Sequence, residues 1–181
     1  MFNVHASRQG DYHEAEESEA PDHAGQNIER MGTIRLETVI KAPIERCFDL
    51  ARSVEAHIAS IAKTAERVVE GRKEGLFELG ESVAWEARHF GLRLRQGSTI
   101  TRSERPHLLV DEGISGPLRG FRHVHQFVFE HGATRMVDTF EFGLPWGLVG
   151  RVADRLVVER YLRRLLTERA AFLKAAAEAA G

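Results

Sequence analysis

The stretch FRHVHQFVFEHGATRMVDTFEF, residues 121–142, decides the fold. Over Phe121–Phe129 and again over Thr134–Phe142 the residues alternate with a period of two, which marks two half-buried strands. His131-Gly132 lies between them, and a two-residue turn there sets Glu130 opposite Ala133. Stepping back along both strands sets Phe129 opposite Thr134, Phe127 opposite Met136, His125 opposite Asp138 and His123 opposite Phe140. Alternate residues share a side. Phe121, His123, His125, Phe127 and Phe129 therefore form one face, and Arg122, Val124, Gln126, Val128 and Glu130 the other. The aromatic face is expected to be the inner one, with two imidazoles and a carboxylate turned into it.

Outward from the hairpin, Gly143 and Pro145 end the sheet and a long apolar-periodic segment runs from about Trp146 to Ala180. It reads as one helix or two stacked end to end. Leu148, Val149, Val152 and Leu156 recur at helical spacing, as do Val158, Tyr161, Leu162, Leu165, Phe172, Leu173 and Ala176. The two groups do not share one face of a wheel, and the apolar side swings round near Val157. That predicts either a bend or a helix covered on a broad arc by something concave.

The chain before the hairpin supplies the concave object. Ile34, Leu36 and Ile40 alternate with Arg35 and Glu37 in a strand. Ala42-Pro43 opens a helix with proline suited to its first turn, and Ile44, Cys47, Phe48 and Ala51 make its buried stripe. A second helical stretch covers about Glu55–Ala65, with Ile58 and Ile61 inward. From Glu66 the period is two: Val68-Val69, then Val83, Trp85 and Ala87, then Leu92, Leu94 and Ile100, then Leu108–Ile114. Gly71, Gly75, Gly116, Pro117 and Gly120 punctuate the turns. The order predicts an α+β fold, a bent antiparallel sheet wrapped around a long C-terminal helix, and such a pair leaves a gap between its parts.

The 181 residues suffice for one domain with a core, at 43% hydrophobic and 29% charged residues. A net charge of −2 gives no pointer to nucleic acid or an anionic membrane. Cys47 is the single cysteine, which excludes an internal disulfide and a cysteine zinc cluster. No apolar run approaches the ~20 residues that cross a bilayer, and no basic-then-apolar leader opens the chain, so the expectation is a cytoplasmic protein. Residues 1–31 carry Asp11, Glu14, Glu16, Glu17, Glu19 and Asp22 among His, Ser, Gly and Ala. Such a segment cannot offset its ordering entropy. The expectation is a disordered acidic tail, 1–31, ahead of a folded domain, 32–181.

The inner face of the hairpin holds the candidate chemistry. A buried polar group without a partner costs ~1–3 kcal/mol, so His123, His125 and Asp138 need a reason to be there. Four readings stand open. His125 and Asp138 satisfy each other and do nothing more. They form the polar end of an apolar pocket and orient a ligand. His125 is a general base whose tautomer Asp138 fixes, although no Ser, Cys or Lys stands as nucleophile beside it. His123-x-His125 with Asp138 as third donor holds a metal ion. Trp85 and Trp146 read as packing residues or pocket walls, and His89 and His107 as exposed. Arg151, Arg155, Arg160, Arg163, Arg164 and Arg169, mixed with Asp154, Glu159 and Glu168, read as the solvated face of the last helix or a docking surface for an acidic partner. There is no phosphate-cradling glycine loop, dinucleotide fingerprint or metalloprotease helix motif.

Several segments taken in order carry a family resemblance. They are Ala42-Pro43, Gly80-Glu81-Ser82-Val83-Ala84-Trp85, Gly116-Pro117-Leu118, Phe121–Phe127, Thr134–Asp138 and Pro145-Trp146-Gly147. From Gly32 to about Ala180 the chain resembles the START-like, or SRPBCC, superfamily with its helix-grip fold. The resemblance is strongest to the bacterial ligand-binding SRPBCC proteins called cell-division-inhibitor-like. It implies a hydrophobic ligand, such as a lipid, sterol or polyketide, held between sheet and helix. Some members of the superfamily are cyclases, hydrolases or parts of oxygenases, and others act through protein partners. The oxygenases' metal ligands and the cyclases' catalytic residues have no counterpart placed here. The combined expectation is a binder of a small, largely apolar ligand, with no metal or other cofactor, no nucleic acid and no membrane insertion. Trp85, Phe121, Phe127, Phe140 and Trp146 would be its walls, and His123, His125 and Asp138 its polar contacts. The alternatives are an acid–base enzyme of cyclase or hydrolase type using His125 with Asp138, and a protein-interaction module using the arginine-rich helix.

Overall fold

A computed structural model describes residues 32–118, 120–143 and 152–179, with the helical backbone alone for 152–155. The expected acidic tail, Trp146 and the start of the last helical segment lie outside the described residues. The elements are strand β1 (Gly32–Ile40), helices α1 (Ile44–Ala51) and α2 (Val54–Ser60), strands β2 (Arg67–Gly71), β3 (Ser82–His89), β4 (Leu92–Glu104), β5 (Leu108–Ser115), β6 (Arg122–Glu130) and β7 (Ala133–Phe142), and helix α3 (Val152–Glu178). A 3-10 turn over Ala62–Thr64 follows α2, so the expected single stretch to Ala65 is broken after Ser60. Ser53 caps α2, its hydroxyl accepting from Ala56 N–H at 3.1 Å.

Seven strands form one curved antiparallel sheet in the order β1-β7-β6-β5-β4-β3-β2. Pairing shifts interrupt β2 between Val68 and Glu70, and β4 between Gly97 and Ser98 and between Ile100 and Arg102. Irregularities of this kind bend a strand and increase its twist, which lets the sheet close partly around α3. The β6–β7 register is Phe129↔Thr134, Phe127↔Met136, His125↔Asp138 and His123↔Phe140, as the two-residue turn requires. His131 and Gly132 both hold positive φ in that turn, at 52° and 78°.

Helix α3 is continuous, without the break considered near Val157. Its inward residues recur at steps of three and four: Val158, Leu162 and Leu166, then Ala170, Leu173 and Ala177. The second half packs into the main core with Phe48, Phe127 and Met136. Its end is tied down by polar contacts. Arg46 Nη1 donates to Ala177 O at 3.1 Å, and Lys41 N–H donates to Glu178 Oε1 at 2.8 Å. Helix α1 lies on β6 and β7, and α2 on α3. This end of the sheet is solid. Burying Phe48 and Phe127, each at most 1% exposed, contributes about 1.5–3 kcal/mol apiece. Phe129 departs from expectation. It shares the inner face of β6, yet it is 53% exposed at the strand end beside the turn, where no helix among the described residues covers it. No helix among the described residues is long and apolar enough to cross a membrane.

Candidate functional site

Between the inner face of the sheet and the first half of α3 lies a cavity of about 450 Å³. Its sheet wall comes from alternate residues of the strands: Val83, Trp85 and Ala87 on β3, Leu94 and Ser98 on β4, Leu109 and Asp111 on β5, and His123 and Phe140 on the hairpin. Its helical wall is Val158, Tyr161, Leu162, Leu165 and Leu166. Phe121 and Leu118 close one side, where Gly113 is required. A Cβ there would stand 2.5 Å from the Phe121 ring and 2.6 Å from Leu118 O. Phe90, 60% exposed, and Leu92 mark where the cavity meets solvent. Phe90 leans on the Tyr161 ring with centroids 4.5 Å apart, and the Tyr161 hydroxyl hydrogen-bonds His89 Nδ1 at 2.7 Å.

The expected site residues separate. Trp85, Phe121, His123 and Phe140 line the cavity. His125, Phe127 and Asp138 are placed differently from expectation: they sit on the same side of the sheet but are not in the cavity wall. Phe127 packs edge-on against Phe48 of α1, centroids 5.8 Å apart, in the solid part of the core. His125 is 1% exposed, between the tilted His123 ring and the roughly parallel ring of Phe127. Alternation fixed their side of the sheet correctly, but α1 covers that part of it. Trp146 lies outside the described residues.

The polar wall is a box of two imidazoles and two carboxylates. His125 Nδ1–H donates to Asp138 Oδ1 at 2.5 Å, and His123 Nε2 faces the same oxygen at 3.5 Å. The other nitrogens, His125 Nε2 and His123 Nδ1, face Asp111 Oδ1 at 3.7 and 3.8 Å. Asp111 stands opposite His123 in the β5–β6 register and was not singled out in the sequence. Burial opposes both carboxylates' ionisation, yet the facing imidazoles outweigh it and hold Asp111 and Asp138 below the usual carboxylate range. Burial also disfavours charge on both imidazoles. For His125 the adjoining Asp138 and Asp111 outweigh burial and raise its pKa. For His123, burial and the charge of His125 win and lower it. The wall thus holds ionised Asp138 against His125, with a neutral His123 facing the cavity. An acid–base role by His125 itself has no direct access to a ligand, because His123 stands between.

A second polar group lies across the cavity. Arg169 donates to His57 Nδ1 and, from Nη2, to Ala51 O at 2.9 Å. His57 therefore carries its proton on Nε2, which faces Glu66 at 3.4 Å. The imidazole stacks on Trp85 with centroids 4.1 Å apart, and burial lowers its pKa, with the Arg169 charge acting the same way. Arg169 was read from the sequence as part of a solvated arginine face, and here it corrects that reading by turning into the interior. Arg160, Arg163 and Arg164 are exposed on the outer side, with Arg163 and Arg164 paired to Glu159 and Glu168. The side chains of Arg151 and Arg155 lie outside the described residues. His89, expected to be exposed, is half-buried against Tyr161, while His107 is exposed as expected.

No protein-family model matches the chain, and no curated protein matches it. Solved structures do. A protein of Thermus thermophilus is 22% identical and superposes with a TM-score of 0.60 over 80% of this chain and 99% of that one. A putative uncharacterised protein from Rhizobium leguminosarum is 19% identical, TM-score 0.60, over 80% and 95% of the two chains. The major latex-like protein 151 of Panax ginseng is 11% identical, TM-score 0.57, over 81% and 97%. At these identities the likeness is one of fold alone, and that fold is the helix-grip fold.

Proposed function

We propose that this chain binds one small, largely apolar molecule of lipid-, polyketide- or aromatic-like character in the cavity under the first half of α3. The observation that carries the reading is the cavity itself. Its volume of about 450 Å³ falls in the range of roughly 300–1,000 Å³ typical of small-molecule sites, and apolar walls with a few placed polar groups are the usual means of orienting such a ligand. Asp111 and His123 on one wall, and His57 with Arg169 on another, supply those groups. The protein-interaction alternative called for an interior without a hollow, and the cavity counts against it. The helix-grip neighbours support an apolar ligand only at the level of fold.

The test is native mass spectrometry of freshly purified protein, with solvent extraction of what travels with it, beside titration with a hydrophobic dye that fluoresces when buried. A co-purifying apolar molecule, or dye uptake abolished by Leu162→Trp in a folded protein, is the expected result. Dye uptake unchanged when Leu162→Trp fills the space would sink the proposal.

A further inference from the structure

The box of imidazoles and carboxylates is not closed as a hydrogen-bonded cluster would be. A charge-assisted hydrogen bond draws donor and acceptor to about 2.7–2.9 Å. Only His125–Asp138 reaches such contact. His125 Nε2 and His123 Nδ1 stop 3.7 and 3.8 Å from Asp111 Oδ1. The three residues' donor atoms lie within 4.8 Å of one another. Two donors each about 2.0–2.2 Å from one ion stand some 3–4 Å apart at ordinary coordination angles, which both imidazole–Asp111 distances meet, while the two imidazole nitrogens would draw together around an ion. His123, 5% exposed, also keeps its Nε2 buried without a hydrogen-bond partner.

We propose that Asp111, His123 and His125 form a binding site for a single divalent first-row transition metal ion, of the zinc or ferrous type, at the polar wall of the cavity. Two nitrogens and one carboxylate oxygen are a donor set suited to such ions. Asp138 completes the arrangement from behind. Its Oδ1 faces the far nitrogen of each imidazole, at 2.5 Å from His125 Nδ1 and 3.5 Å from His123 Nε2. Metal-bound histidines characteristically present their second nitrogen to a carboxylate in this way, which fixes the tautomer and aims the other lone pair. The three donors come from β5 and β6 alone, and both Asp111 and His123 border the cavity. A position on the ion is thereby left toward the hollow, where it would take an oxygen of a bound molecule as a Lewis acid does. This departs from the sequence expectation of no metal, and from the metal reading weighed beside it, in which Asp138 was the third donor. In the structure Asp138 orients the ligands and Asp111 takes its place.

The inference uses the same cavity as the proposed function but does not need its ligand. The test is equilibrium uptake of Co2+ and Zn2+ by the full chain, purified without a histidine tag and stripped with chelator, with the visible spectrum of the Co2+ form. The expected result is one ion per chain and a Co2+ spectrum of low coordination number. Asp138→Asn should weaken uptake 10–100-fold, as for other outer partners, and Asp111→Asn and His123→Gln should weaken it further. Circular dichroism checks that each variant is folded. Should Asp138→Asn fail to fold, Asp111→Asn decides, since Asp111 is the least buried of the four at 21% side-chain exposure. Absence of uptake by the wild type overturns the inference. So does uptake undiminished in Asp111→Asn and His123→Gln, which would place the ion elsewhere on the chain. Either result, with dye uptake by the cavity intact, leaves the proposed function standing.

Discussion

Two stretches of the segment that enters and forms β6 face the same way and meet different fates. His125 and Phe127 on β6 lie under α1, where Phe48 and Met136 fill the space. Phe121 and His123, a few residues earlier, lie under the first half of α3, where the space is hollow. Alternation gives both pairs an inner side chain. What distinguishes them is the element opposite, so the same residue pattern yields core at one end and site at the other.

Truncation should separate the two ends most clearly. Phe127→Ala opens a void in close-packed surroundings and is expected to cost about 3–5 kcal/mol. Phe121→Ala adds to a void that already exists and should lose about 1.5–3 kcal/mol, the transfer contribution alone. Urea unfolding of both variants checks this, and equal losses would break the distinction. The carboxylates offer the next contrast. Asp138→Asn removes a charged acceptor from a buried hydrogen bond, at about 1.5–3 kcal/mol. Asp111→Asn breaks no hydrogen bond of ordinary length and should cost less than about 1 kcal/mol on the same scale. Enlargement reverses the logic. Leu173→Trp overpacks the solid end, at about 1–3 kcal/mol, whereas Leu162→Trp projects into the hollow and should leave the melting temperature close to that of the wild type.

A further contrast is one of pH. Burial depresses the folded-state pKa of His57, so below its ordinary value near 6.5 the unfolded chain binds a proton that the folded chain does not. Stability is then unaffected above that pH and falls as pH drops toward the depressed folded value, by at most about 1.4 kcal/mol per pH unit. His57→Gln should flatten the acid limb of the stability curve below about pH 6.5. An unchanged slope would mean that His57 is protonated in the folded protein.

The hairpin was legible down to its register because a two-residue turn leaves no freedom in pairing. The His125–Asp138 contact follows from that register directly. Asp111 was not legible for the converse reason. The connection from β5 to β6 passes through Gly116, Pro117 and Gly120, and no turn type there dictates which residue faces His123. Alternation did place Asp111 on the side of Leu109, and that was the available signal. Arg169 and His57 are 112 positions apart and meet only because α3 lies along α2. From sequence, an arginine among arginines on a helix looks solvated. The continuity of α3 was obscured too, since the apolar residues on its outer side, Leu156 and Val157, are exposed and blur the inward line.

That line has a mechanical consequence. One rod is bolted at its far end by Arg46 and Lys41 and, over 158–166, roofs a chamber. An occupant of the hollow would prop the roofing half and leave the bolted end unchanged. Occupancy should therefore register as slower amide deuteration across 158–166, with no change across 170–177, so that the backbone of a single helix reports whether the chamber is full.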